Sequence, residues 1–245
     1  MRLQFMGSGD AFGSGGRFNT CFHVTGDRSN FLIDCGASSL IALKAKEVAI
    51  NSIRTIFITH FHADHFGGIP FLILDAQFFS KRRGPLTIAG PRGLAEWYQR
   101  AMETAFPGSS TTKLRFELSL VELEPMVMTT VDGVTVRPFS VNHGVPGGPF
   151  HAYRFEVEGR SIAYTGDTEW TDNLIEAGAG VDLLIAEAYF FEKKIKLHLD
   201  YQTLAERLPL IKPKRLVLTH MSEDMLSRKR LIDCEMADDG KIIDL

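Results

Sequence analysis

Cysteine is scarce in this chain. Only Cys21, Cys35 and Cys234 occur, an odd number with no C-x-x-C spacing, which excludes a disulfide framework and a thiolate zinc site. Any metal must therefore be held by histidine and carboxylate. Long apolar runs are missing as well: the longest, Ile69 to Phe79, is broken by Asp75 and Gln77 and is too short to cross a bilayer. The opening residues MRLQFMGSGD lack the positive, apolar and small-residue order of a signal peptide, so the expectation is a soluble, cytoplasmic protein with no membrane partner. Charge of one sign is also scarce. A formal net charge of -3 argues against a dedicated nucleic-acid binder, although a local basic patch stays open. With no internal repeat, low-complexity tract or Pro/Ser-rich linker, the simplest reading is a single domain over residues 1–245.

What is present is ordinary globular composition, 44% apolar and 23% charged, which excludes disorder and fibre. Runs rich in Ile, Val and Phe predict strands at Leu3 to Met6, Phe31 to Ile33, Ile53 to Thr59, Leu86 to Ala89, Val134 to Val141, Tyr153 to Val157, Ile162 to Thr165, Leu183 to Ala186 and Leu216 to Thr219. Helical patterns lie between them at Ser38 to Val48, Ile69 to Phe79, Gly93 to Thr104, Asp172 to Ala177 and Tyr201 to Leu208. A strand-dense middle from Leu114 to Thr165 suggests meanders, and the mixture fits an αβ layered sandwich.

Eight histidines are present and unevenly placed. Several predicted strands finish on a residue able to bind metal: IFIT at His60, RPFSVN at His143, IAYTG at Asp167, LLIA at Glu187 and LVLT at His220. Strands ending in this way could collect those side chains at one sheet edge, where loops form the mouth of a site on a rigid scaffold. The sharpest signal is His60-Phe61-His62-Ala63-Asp64-His65, three imidazoles and a carboxylate within six residues after a buried strand. A solvated polar loop is the plainer alternative, but polar groups in such a place are costly unless partnered, and metal relieves that cost. His60 and His62 can aim at one ion while Asp64 and His65 reach a second. Gly67-Gly68 lets the backbone turn before the helix that Pro70 helps to start. Ligands of this type suit Zn²⁺ first, then Mn²⁺ or Fe²⁺.

Here the sequence resembles the metallo-β-lactamase superfamily, whose H-x-H-x-D-H stands as His60, His62, Asp64 and His65. The resemblance spans nearly the whole chain: Phe31-Leu32-Ile33-Asp34-Cys35-Gly36 upstream looks like the strand that carries a supporting aspartate, and His143, Gly166-Asp167-Thr168 and His220 stand downstream where further ligands are expected. It implies a four-layer αββα sandwich and two divalent ions. His60, His62 and His143 would hold one, Asp64, His65 and His220 the other, with Asp167 bridging. Asp34 is expected to orient a ligand histidine, and Asp64 to take up a proton from the bridging water. Within the superfamily, the chain is similar to ribonuclease Z and nearby phosphodiesterases. There, a glutamate after the post-bridge strand and a histidine before the next helix stabilise the transition state and protonate the leaving group. Glu187 and His198 match those positions, while the residues around them differ from the family's fuller pattern.

Charge bookkeeping points the same way. Two divalent ions with Asp64 and Asp167 leave +2, which one hydroxide and one phosphodiester monoanion would neutralise. Ribonuclease Z inserts a long arm between its third ligand motif and the bridging aspartate, whereas only 23 residues separate His143 from Asp167 here. A small anionic phosphodiester or cyclic phosphate is thus favoured over tRNA as the partner, with a ribonuclease Z-type tRNA 3′ endonuclease as the alternative. A thioester, ester or lactone hydrolase and a non-enzymatic metal-binding member are further alternatives. Antibiotic β-lactamase activity is disfavoured by the missing signal peptide, and a flavin-partnered diiron oxygen reductase by His62. Lys81-Arg82-Arg83, Lys193-Lys194 and Arg228-Lys229-Arg230 read as solvated surface charge, His23 and His151 as structural, and Gly144 to His151 as a flexible rim of the site. A homodimer, and any part of Ile69 to Phe79 in it, is left open.

Overall fold

The segments around Phe31, Ile56 and Ile88 are buried on both faces, a pattern that a strand satisfies only between two covering layers. In the computed structural model, which describes residues 1–145 and 148–245, those layers are present. The first sheet contains β1 (Arg2–Gly7), β2 (Cys21–Thr25), β3 (Asn30–Ile33), β4 (Thr55–Phe57), β5 (Leu86–Gly90) and β6 (Leu118–Glu122). The second contains β7 (Thr129–Val131), β8 (Val134–Ser140), β9 (His151–Val157), β10 (Arg160–Tyr164), β11 (Leu183–Glu187), β12 (Leu216–Thr219) and β13 (Glu235–Met236), while β14 (Ile242–Asp244) returns to pair with β1.

Between the sheets, Phe22 packs edge-on against Tyr164 at 5.0 Å and Phe57 against Phe155 at 5.1 Å. Because side chains alternate along a strand, Phe31 and Ile33 join this inner core while Leu32 points outward to Leu43, Leu72 and Met102 on helices Ser39–Ala45, Ile69–Leu74 and Leu94–Ala105. On the far side, Ala163, Leu184 and Leu218 meet Leu174, Leu204 and Met225 on helices Asn173–Gly178, Tyr201–Ile211 and Glu223–Ser227. This is the expected αββα sandwich. No helix among the described residues is long and apolar enough to cross a membrane.

Strand direction places the site. β3, β4 and β5 are parallel, as are β10, β11 and β12. β8 shares the direction of β10, since both run antiparallel to β9. The carboxyl ends of these strands lead to Asp34, His60, His143, Asp167, Glu187 and His220.

Some expectations need correction. The strand-dense middle divides: β6 extends the first sheet in parallel with β5, and only β7 to β10 form the meander. Strand β2 was not foreseen, because His23 interrupts its apolar run; that histidine is accommodated by a 2.8 Å hydrogen bond to Asn30. Ile69 to Phe79 is not one regular helix, for its last turn widens until the Ser80 amide reaches Asp75 O at 2.9 Å. Arg82 is not surface charge. It is 2% exposed and donates to the carbonyls of Ile50, Ile53 and Gly84. The rim from Gly144 to His151 includes Pro146 and Gly147, which lie outside the described residues.

The turn that carries the H-x-H-x-D-H residues lies directly on the end of β3. The Gly68 amide donates to Cys35 O at 2.9 Å and the Cys35 amide to His65 O at 2.8 Å. A Cβ on Gly68 would overlap the Gly36 and Cys35 carbonyls. Gly68→Ala should therefore destabilise the fold by about 1 to 3 kcal/mol, whereas Gly84→Ala, which meets nothing within 4 Å, should be near neutral. Urea unfolding of the two variants checks this.

Candidate metal centre

After β4 the chain stays buried through Ile58, Thr59 and His60, then makes one short helix, Ala63–Phe66, that brings Asp64 and His65 back over the sheet edge. Two clusters of potential ligands result. His60, His62 and His143 form one; Asp64, His65, Asp167 and His220 form the other, and within each cluster the donor atoms lie within 4.8 Å of one another. Asp167 faces both. Its Oδ1 is 3.3 Å from His65 Nε2, and its Oδ2 is 3.3 Å from His220 Nε2 and 3.6 Å from His143 Nε2. Asp64 Oδ2 stands 3.3 Å from His65 Nε2 and 3.2 Å from His220 Nε2.

The Nδ1 atoms of His60, His65 and His143 are tied to the protein, which fixes tautomer and ring orientation. His65 Nδ1 donates to Asp34 Oδ2 at 2.7 Å. Asp34 also accepts from the Thr59 amide at 2.7 Å and from Thr59 Oγ1, which lies 3.1 Å from His60 Nδ1. His143 Nδ1 donates to Leu197 O at 2.7 Å. Buried polar atoms normally have partners, yet His60 Nε2, His65 Nε2 and Asp167 Oδ1 have no hydrogen-bond partner among the described residues. Those orphaned atoms face inward as a nitrogen and oxygen donor set without sulfur, and such a set fits a divalent cation.

Electrostatics separates the two clusters. Burial holds the His60 and His62 imidazoles below their usual range, and neighbouring imidazoles add to the effect. At His65 burial also disfavours charge, but Asp167, Asp64 and Asp34 outweigh it and push the pKa well up. His220 is driven to about 10 because Asp167, Asp64 and Glu187 overcome the same burial penalty. Burial raises the Asp64 and Asp167 carboxyls, but the same imidazoles outweigh it and hold both below the usual carboxylate range.

A third group adjoins. Glu187, fully buried at the end of β11, has His198 Nδ1 against its Oε1, while its Oε2 accepts from the Thr168 amide at 2.9 Å and the Leu199 amide at 3.2 Å. The His198 ring lies 4.7 Å from that of His143. Burial lowers its pKa, but Glu187 more than compensates and the net shift is upward. The structure thus brings together His60, His62, Asp64, His65, His143, Asp167, His220, Glu187 and His198, and leaves His23 and His151 outside both clusters. Sequence reasoning missed Thr59, Thr168 and the Leu197 carbonyl, although Thr59 stands beside His60. It also missed Phe150, whose ring lies 5.5 to 6.0 Å from those of His60, His62 and His143.

Comparison with known proteins accords with this geometry. A family model described as Anti-Pycsar protein Apyc1 matches residues 1–241. Ribonuclease Z of Methanosarcina acetivorans is 27% identical, covering 91% of this chain and 88% of its own length. Ribonuclease Z of Agathobacter rectalis is 29% identical, covering 86% and 84%. Among solved structures, the short form of human tRNase Z superposes with a TM-score of 0.80 at 27% identity, covering 100% of this chain and 99% of that one. A diphosphatase from the PhnP family gives 0.79 at 21% identity, covering 100% and 97%, which bears on the fold alone.

A cation entering among Asp64, His65 and His220 must displace the protons that His65 and His220 hold near neutral pH, whereas His60 and His62 carry none to lose. Loading with Zn²⁺ should therefore release about one to two protons, and affinity should fall as pH falls. Calorimetry in buffers of different ionisation enthalpy reads the number directly. His65→Gln should reduce it and His62→Gln should not.

Proposed function

The chain belongs to the Anti-Pycsar protein Apyc1 family, and from that premise we propose that it is a dinuclear hydrolase of small phosphodiesters, cyclic phosphates included. It is a metal-dependent hydrolase of the metallo-β-lactamase fold. The observation that carries the finer reading is the position of Asp167, whose carboxylate stands between the two ligand clusters, with Oδ1 toward His65 and Oδ2 toward both His220 and His143. We assign His60, His62 and His143 to one ion, Asp64, His65 and His220 to the other, and Asp167 to both, with zinc the metal that best suits such ligands. Ions held there would supply Lewis acidity and a nucleophile at neutral pH, and would offset the charge of a phosphodiester.

The remaining work falls to this chain's own residues. Asp34 holds His65 directly and His60 through Thr59, so the ligand geometry is set before substrate arrives. Asp64, with one carboxylate oxygen against His65 and His220, is placed to take up a proton from the attacking water. Glu187 favours the protonated form of His198 and fixes its Nδ1, leaving Nε2 as the donor to the departing alkoxide. The anti-Pycsar role in the family's name is extended to this chain as part of the same proposal.

A second reading, tRNA 3′ processing, is favoured by the relatives named ribonuclease Z. Against it, β9 and β10 fill most of the interval between His143 and Asp167 and leave only residues 144–150 as connection, too few for a clamping arm. One experiment separates these readings and tests His198. His198→Ala should lower kcat by about 10² to 10⁴-fold on an alkyl phosphodiester or cyclic phosphate, with metal content unchanged. The loss should be smaller on bis(p-nitrophenyl) phosphate, whose leaving group departs without a proton. Loss of the metals, or equal losses on both substrates, would overturn the acid role. Faster turnover of pre-tRNA, a thioester or a lactone than of the small diesters would overturn the substrate class.

A further inference from the structure

His198 can donate a proton productively only if its ring keeps one orientation. The hydrogen bond from Nδ1 to Glu187 holds one edge of the ring but does not by itself set the tilt of its plane. The tilt of the ring is bounded by aromatic contacts: the Tyr189 ring lies close to parallel with the imidazole, with centroids 4.5 Å apart and planes at 24°, and the more distant His220 ring stacks at 5.8 Å and 13°. The His143 ring closes the third side edge-on at 4.7 Å and 75°.

Tyr189 is itself held by its backbone. Its amide donates to Leu199 O at 2.8 Å, next to His198, and its carbonyl accepts from the Ser222 amide at 3.0 Å, just beyond His220. It is the ring face of this side chain, not its hydroxyl, that meets the imidazole.

We propose that Tyr189 is a positioning residue, fixing the His198 imidazole by stacking so that its free nitrogen stays aimed at the leaving group. The proposal rests on the acid role of His198 given above. Because the phenol oxygen is not part of this function, a phenylalanine should serve in its place.

The test is a double-mutant cycle on a cyclic phosphodiester with an alkoxide leaving group, with kcat, KM and metal content measured for each protein. Tyr189→Ala should lower kcat about tenfold with KM little changed, Tyr189→Phe should restore it, and Tyr189→Ala with His198→Ala should be no slower than His198→Ala alone. Should the alanine variant fold poorly, Tyr189→Leu keeps the volume without the stack and carries the same expectation. Losses that multiply in the double variant, a Tyr189→Phe enzyme as impaired as Tyr189→Ala, or unchanged kcat in Tyr189→Ala and Tyr189→Leu would each overturn the inference. If His198→Ala alone leaves kcat unchanged, the acid assignment fails instead.

Discussion

A carboxylate shut away from water must be compensated, and Asp167, 2% exposed, is the group on which the site depends. Its two oxygens meet imidazoles from three separate segments, those of His65, His143 and His220. Those segments leave different sheets, so the charge on one side chain couples the edges of both. Without a cation, the compensation comes from protons on His65 and His220. A divalent ion offers more charge in the same space without a donor's directionality, which accords with His60 Nε2, His65 Nε2 and Asp167 Oδ1 lacking hydrogen-bond partners there.

Holding that arrangement costs backbone strain. Asp34, Leu197 and His220 have φ of 59°, 75° and 55°, a region worth about 1 to 3 kcal/mol of strain for a residue with a side chain. Each use is specific. At Asp34 the turn presents the carboxylate to Thr59 and His65 together. At Leu197 it accompanies the carbonyl that accepts from His143. At His220 it follows immediately on β12, and the amide of the same residue is secured on Ser8 O at 3.1 Å. Six other residues with side chains also have positive φ, among them Glu47, Lys81 and Lys212, but at these three the conformation coincides with a contact that the site uses.

That physical division also explains what could be read from the sequence. His60, His62, Asp64 and His65 are legible because their spacing is local and directly follows a buried strand. His143, Asp167, Glu187 and His220 are legible because each ends an apolar run, and parallel strands bring such ends to one edge. Of the supporting contacts, those of Asp34 with His65 and of Glu187 with His198 were expected from the resemblance, whereas the bond from His143 to a carbonyl 54 residues away depends on distances across the chain and was not legible. Stacking of Tyr189 on His198 leaves no periodic signature at all. The missed strands β7, β13 and β14 are only two or three residues long, below the length at which alternation can be recognised. Arg82 was misread because basic residues are normally solvated, and only the fold shows the carbonyls around it.

The same reasoning bears on how one architecture could serve different substrates. Superposition with human tRNase Z covers the whole chain, so a difference in substrate would come from the side chains and connections set on shared strands. The connection between His143 and β9 is short, and its last residue, Phe150, puts its ring against His60, His62 and His143. A Cβ on Gly144 or Gly148 would come within 2.5 Å of that ring, so both positions must stay glycine for the aromatic to sit there. That ring stands against the three-histidine side of the site, where His60 and His143 are buried and His62 is exposed.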